Sequence, residues 1–202
     1  MLLIDDFISQ YSTWFPAQKS AKPWDLTKNL TDLLPEIIAG LDSEYVVKDN
    51  VAVHKTANVE STAVLKAPVI VGKNCFIGAN AYLRGGVYLT QSVTIGTSCE
   101  IKSSIIFPDS AVAHFNFIGD SIIGSHVNFE AGSITANHHN DRVDKRITVI
   151  YNSALLETGT EKFGALVGDH TKIGANAVLS PGTLLAPNTI VGRLQLVEQK
   201  LD

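Results

Sequence analysis

Residues 53–117 read VHKTANVESTAVLKAPVIVGKNCFIGANAYLRGGVYLTQSVTIGTSCEIKSSIIFPDSAVAHFNF, and the register of this stretch decides the fold. Counting in sixes from Val53 gives Val59, Leu65, Val71, Ile77, Leu83, Leu89, Ile95, Ile101, Phe107 and Ala113. All but Ala113 are large and apolar. Four places after each come Ala57, Ala63, Val69, Cys75, Ala81, Val87, Val93, Cys99, Ile105, Ala111 and Phe117, a class without a polar member. An α-helix cannot hold a strict six-residue beat on one face, and a lone strand alternating in twos has no use for the second class.

A six-residue repeat is the mark of a parallel β-helix. Each unit supplies one short flat side and three units close a triangular turn. The large residue fills the prism, and the residue four on points in near a corner. No coil buries its own faces alone, so coils stack, and residues eighteen apart lie above one another in parallel ladders. The fold expected is all-β, with a short helical segment in front.

The 202-residue chain is 45% hydrophobic and 18% charged, with a net charge of −4, so it lacks a nucleic-acid footprint and no nucleic-acid partner is expected. No run of eighteen apolar residues is present, so no membrane span is expected. The start carries Asp5 and Asp6 and no basic region, unlike a secretory signal. Cys75 and Cys99 both fall in the inward corner class, one coil plus one side apart, which places them on different sides as buried thiols. A reducing, cytoplasmic location fits.

Residues 1–50 ignore the six-count. Leu3, Phe7, Ile8 and Tyr11 suggest a short amphipathic helix, and residues 17–23 a linker. A second helix is expected from Asp25 as N-cap, interrupted or restarted at Pro35. Part of this segment is expected to cover the open end of the first coil. The coil itself is expected over 51–196, with the count running unbroken to Ala113 and slipping across residues 114–120. An excursion over 135–162 leaves it, and the count resumes at Val167, Ile173, Leu179, Leu185 and Val191. Residues 197–202 read as a tail, a short helix or frayed end.

A break in a strict pattern is where function overrides regularity. His114, one place after a core position, is expected to point outward at a corner, where an imidazole can serve as a general base. A plain surface histidine is the other reading. Asn128 and Asn137 are its polar companions, able to orient a substrate or to fill ordinary turns. Asp120 either positions His114 or caps a turn. Arg142, Lys145 and Arg146 on the excursion suit a phosphate, against the simpler reading of a solvated charged loop. The remaining histidines lack paired ligand spacing, and no metal is expected.

The run His114 to Asp120, then Ile123 and Gly124, then Val127 to Asn137, resembles the acetyltransferase half of the bifunctional N-acetylglucosamine-1-phosphate uridylyltransferase/glucosamine-1-phosphate acetyltransferases. It is also similar to the C-terminal domains of related sugar-1-phosphate nucleotidyltransferases. The resemblance implies a left-handed parallel β-helix, a homotrimer with sites between subunits, and acetyl-CoA as co-substrate. It implies His114 as the base that deprotonates a sugar amine, with Asn128 and Asn137 on sugar and acetyl group. Ala131, Ala175 and Arg193 would hold coenzyme A.

Two positions depart from that family. Phe117 stands where a tyrosine is usual at the substrate, and it also fits the inward class of the repeat. Val143 stands where a lysine is expected. Residues 1–50 lack the glycine-rich loop of a nucleotidyltransferase domain, so uridylyl transfer is not expected of this chain, and a separate nucleotidyltransferase chain is a candidate partner. The function expected is acetyl transfer to an amino-sugar phosphate or nucleotide amino sugar. The alternative is a non-catalytic trimeric sugar-phosphate binder or scaffold, which the loss of the tyrosine favours. A zinc-dependent carbonic anhydrase on the same coil is a further rival.

Overall fold

A computed structural model describes residues 2–199. Its main body is a parallel β-helix with three walls. The first wall opens with Val51–His54 and the second with Asn58–Val59; the third opens with Val64–Leu65. Each strand lies over its counterpart one coil earlier, as Val69 over Val51, Phe76 over Asn58 and Tyr82 over Val64. These steps are the eighteen residues that the six-count requires.

The steps then shorten. Ser104 pairs with Val87, Ala111 with Thr94 and Phe117 with Glu100, each seventeen residues on. One residue is therefore missing at the corner between the third and first walls. Strands Tyr82–Leu89 and Glu100–Ile106 run continuously round that corner, with a register shift between Arg84 and Val87. Ser103, and Asp120 one coil later, take positive φ there to turn within a five-residue side. The second wall stays a regular ladder from Asn58–Val59 to Ile190–Val191.

The unbroken count to Ala113 is thus corrected. The prism holds Ile106, Val112, Ile118, Ile123 and Phe129 after Ile101. Phe107 lies outside it, in a second cluster with Tyr11 and Phe15, its ring centroid 6.3 Å from that of Tyr11. The slip falls between Ile101 and Ile106, ahead of His114. Hydrophobicity could not reveal it, because the first wall is apolar on both sides: Ile105 faces out and Ile106 faces in, and both are fully buried.

The one-place shift also changes the corner class. Ile105, Ala111 and Phe117 leave it, and Ser104, Ser110 and Asn116 enter, all buried. Each is satisfied. Ser104 Oγ donates to the Lys102 carbonyl at 2.7 Å, Ser110 Oγ to the Gly124 carbonyl at 2.7 Å, and Asn116 Oδ1 accepts the Ser133 N–H at 2.7 Å. Buried hydroxyls and amides at corners are tolerated because the turn carbonyls and N–H groups there need partners of their own. Cys75 and Cys99 are free and buried on different corners, and burial pushes the Cys75 thiol up to about 11.

The N-terminal segment contains helices Pro23–Lys28 and Leu30–Ala39. Pro23 opens the first, so Asp25 is not its N-cap, and Pro35 sits inside the second without ending it. The helices lie along the flank of the first wall, while the open edge of the first coil is covered by a later part of the segment. Outward residues Ala52, Ile70, Tyr88, Ile105, Ile122 and Leu166 form an apolar column that Leu30, Leu34, Phe15 and Trp24 cover. Gly86, at φ 89°, lets the second helix approach; a Cβ there would stand 2.7 Å from Leu30 Cβ. Ser9 fastens the segment, its N–H and Oγ both donating to Asp169 Oδ2 at 3.0 and 2.8 Å. Strand Tyr45–Lys48 then pairs antiparallel with Val51–His54.

The excursion leaves after strand Ile134–Thr135 and returns at Ala165–Val167, so that Ile122 pairs with Leu166. It contains the hairpin Thr148–Tyr151 and Ala154–Glu157, whose Val149 joins Ile147 and Phe163 on the same apolar flank. At the other end Leu196–Val197 pairs with Val178–Leu179, so a last strand stands where a helix or frayed tail was expected up to residue 199. The remainder of that expectation lies outside the described residues.

If Asn116 faces inward, Asn116→Ala leaves the buried Ser133 N–H without its acceptor and lowers the unfolding free energy by about 1–3 kcal/mol in urea titration. An unchanged midpoint would restore Phe117 to the inward class.

Candidate functional site

The register that shortens at one corner keeps another in column. Between the second and third walls, the turn residues Thr97, His114, Ala131, Ala175 and Arg193 follow one another coil by coil, as the flanking pairs Thr94–Ala111, Ala111–Asn128, Asn128–Lys172 and Lys172–Ile190 require. Backbone bonds stitch the column. Phe115 N–H donates to the Thr97 carbonyl at 3.2 Å and Gly132 N–H to the His114 carbonyl at 2.9 Å. Asn176 N–H donates to the Ala131 carbonyl at 3.0 Å and Leu194 N–H to the Ala175 carbonyl at 2.9 Å. Four residues singled out in the sequence therefore share one edge of the prism.

His114 is exposed on this edge. The residue after each turn residue takes φ between 55° and 74°, and Asn80, Gly132 and Asn176 suit that conformation. Phe115 and Leu194 do not, yet both adopt it, 68% and 79% exposed. Both are bulky apolar side chains held in solvent in a conformation that costs them more than it costs glycine or asparagine.

The turn N–H groups of Ala131 and Arg193 donate no hydrogen bond among the described residues, whereas Ala175 N–H donates to Glu130 Oε2 at 2.9 Å. Glu130 also binds Arg193 as a fork, taking Nε at 2.7 Å and Nη2 at 2.8 Å. The Arg193 guanidinium and the Ala175 N–H hold the Glu130 carboxyl at about 2. Glu130 and Arg193, with Asn128 and Lys172, line a cleft of about 300 Å³. Asn128 points outward and is exposed.

Asn137 lies on the next corner, where the excursion leaves. It is buried, and its Nδ2 donates to Asp120 Oδ2, which also takes Lys102 Nζ at 2.6 Å. Asp120 therefore binds Lys102 and Asn137, and the reading that has it orient His114 is corrected. Phe117 is corrected too: it faces outward and half-buried, and its ring lies over Gly119 beside the Asn137 amide, as the 2.6 Å and 2.9 Å approaches to a Cβ at Gly119 show. His114 and Asn137 are thus separated by one side of the prism, strand Phe117–Gly119.

The excursion bases are exposed. Arg146 is engaged by Asp144 at 2.6 Å, and Arg142 stands 3.7 Å from Asp141. Arg142 lines a cleft of about 620 Å³ with His138, His139, Ser180 and Gln199; Lys145 and Arg146 do not. Burial lowers the His139 pKa. Among the described residues no three His, Cys, Asp or Glu side chains converge on a metal-sized site. The sequence reading missed Lys102, Glu130 and Lys172; their partners and neighbours lie on other coils, Asp120 beside Lys102, Arg193 beside Glu130, and Asn128 paired with Lys172 across the excursion. Lys102 and Asp120 are 14% and 7% exposed, so Asp120→Ala strands a buried ammonium and is expected to cost about 3–5 kcal/mol in thermal or denaturant unfolding. Loss of under 1 kcal/mol would show that the pair is solvated.

The family model described as the hexapeptide repeat of succinyl-transferase matches residues 68–103. The bifunctional protein GlmU of Methanococcus vannielii is 35% identical over 185 residues, 90% of this chain and 44% of that protein. The bifunctional sugar-1-phosphate nucleotidylyltransferase/acetyltransferase of Sulfurisphaera tokodaii is 32% identical, across 85% of this chain and 45% of that protein. The chain thus spans less than half the length of these curated relatives. A hexapeptide transferase family protein from Anaplasma phagocytophilum overlays at a TM-score of 0.40 with 19% identity, covering 69% of this chain and 72% of that one, too loosely to carry an argument. The chain thus carries the stacked six-residue repeat and, across nine tenths of its length, is similar to part of the GlmU-type bifunctional proteins.

Proposed function

We propose that this chain transfers the acetyl group of acetyl-CoA to the amine of an amino-sugar phosphate or a nucleotide amino sugar. The observation that carries this reading is the single edge on which His114, Ala131, Ala175 and Arg193 follow one another. An extended thioester laid along that edge meets outward N–H groups at Ala131 and Arg193 and an imidazole at its far end. His114 takes the proton from the sugar ammonium or amine as nitrogen attacks the thioester carbonyl, and returns a proton to the departing thiolate. Charge that gathers on the carbonyl oxygen is met by a turn N–H, Ala131's being the nearest in column to His114. Asn128, exposed one coil from His114, and Asn137 orient the sugar and acetyl groups. Arg142, with His138 and His139 beside it, suits the sugar phosphate better than Lys145 or Arg146.

A homotrimer completes the site. The outward residues of the third wall include Val64, Ile134 and Leu196, 43%, 37% and 57% exposed, and the neighbouring edge adds Phe115 and Leu194. An apolar stripe of this kind calls for protein cover, and cover by a second copy would close a crevice over His114. A cytoplasmic location suits the two unpaired thiols. No helix of the described residues is long and apolar enough to cross a membrane.

The second reading, a sugar-phosphate binder without turnover, is favoured by one observation. Phe117 supplies no hydroxyl, and the Asn137 amide beside it is already bound to Asp120. Release of free CoA thiol from acetyl-CoA in the presence of glucosamine-1-phosphate distinguishes the two. Turnover that falls at least about a hundredfold in His114→Ala, with the trimer intact by light scattering, is the expected result. Sugar-phosphate binding with no thiol release would establish the binder.

A further inference from the structure

The residue that opens each turn of the site edge is Glu60, Gly78, Gly96, Ala113, Glu130, Gly174 and Gly192 in successive coils. Glycine has a reason here, because the coil above comes close. A Cβ on Gly96 would stand 1.5 Å from the Ala113 carbonyl oxygen, and one on Gly174 2.5 Å from Arg193 N. Ala113 and two glutamates depart from glycine, and each glutamate lies directly under a glycine of the next coil, which puts no side chain of its own in the glutamate's way.

Both carboxylates reach a turn N–H of the next coil and accept from it: Glu60 from that of Ala79, Glu130 from that of Ala175. There the likeness ends. Glu130 continues to the following coil and locks the Arg193 guanidinium in a fork. A guanidinium fork joined to a backbone N–H is a receptor for a tetrahedral or planar oxoanion. Lys172, which pairs with no carboxylate among the described residues, lines the same cleft of about 300 Å³.

We propose that Glu130 is the built-in occupant of an oxoanion site formed by Arg193, the Ala175 N–H and Lys172, and that a phosphate group of coenzyme A must displace it to bind. This rests on the reading that coenzyme A lies along this edge. The exchange is electrostatically balanced: with Glu130 in place the cleft carries one net positive charge, and with it swung away, two. Glu130 and Arg193 side chains are 37% and 73% exposed, so the pair is screened and opens readily. Its carboxyl titrates at about 2, so displacement proceeds by rotation of a charged side chain, and the gate is indifferent to pH between 5 and 8.

Titration calorimetry with coenzyme A and with inorganic pyrophosphate, on the wild type, Glu130→Gln, Glu60→Gln and Arg193→Ala, tests this. Glu130→Gln keeps the shape and one acceptor for Ala175 N–H while removing the charge. It is expected to bind both probes about fivefold more tightly, a change set by deleting one like charge beside the anion. Glu60→Gln, which loses only a turn contact, is expected to match the wild type, and Arg193→Ala to weaken both probes. Pyrophosphate bound by Glu130→Gln no tighter than by the wild type, or by neither protein, overturns the gate; coenzyme A bound equally by both would still leave the acetyl-transfer reading standing. Pyrophosphate gained by Glu130→Gln with no coenzyme A bound by any variant would support the oxoanion site and remove coenzyme A from it.

Discussion

Stacking is the constraint on which the rest depends. Each coil is three short strands that cannot satisfy their own N–H and carbonyl groups, so every coil takes its hydrogen bonds from the ones above and below. A change in the length of one side therefore cannot be absorbed locally. When a residue is lost at the corner between the third and first walls, the coil must still present matching strands to its neighbours. The loss is taken up in a continuous strand and a positive-φ turn at Ser103 and again at Asp120. One coil later the same corner, already irregular, is where the chain departs into the excursion and where Lys102, Asp120 and Asn137 tie its root to the coil.

Irregularity confined to one corner leaves another free to be regular. The edge that carries His114, Ala131, Ala175 and Arg193 keeps its ladder of turn N–H to carbonyl bonds throughout. A row of equivalent turns repeated at the coil spacing suits an elongated ligand, because each coil offers the same donor at the same height. The row varies along its length: imidazole at one level, free N–H at the next, carboxylate and guanidinium further on. The first wall serves a different purpose. Apolar on both sides, it is roofed by the N-terminal helices and by the excursion hairpin, so the two segments that do not follow the repeat both strengthen the same flank. The other two walls and the edge between them carry no such roof among the described residues.

Two kinds of reading went astray, for related reasons. Phe107 and Ile106 are equally apolar, as are Ile105 and Ile122 on the covered side of the first wall, so a count of hydrophobic residues could not tell inside from outside there. Once the count was one place late, Phe117 seemed to point inward, although Asn116 does, and the inward corner class seemed free of polar residues although Ser104 and Ser110 belong to it. Glu130 escaped notice because a glutamate in a turn is unremarkable until the glycine above it and the arginine two coils on are seen in one column.

The amino-acid sequence determined the coil. A six-residue beat of large apolar residues with small ones between them admits no other regular packing, and it also singled out His114, Asn128 and Asn137 by their place near its interruption. Which residues face one another was decided by tertiary structure. Contacts across a coil join residues seventeen, eighteen or forty-four positions apart, and those separations depend on corner geometry and on the length of an excursion. Local sequence encodes whether a residue can sit on a wall; only the closed coil settles which coil, which edge and which partner it meets.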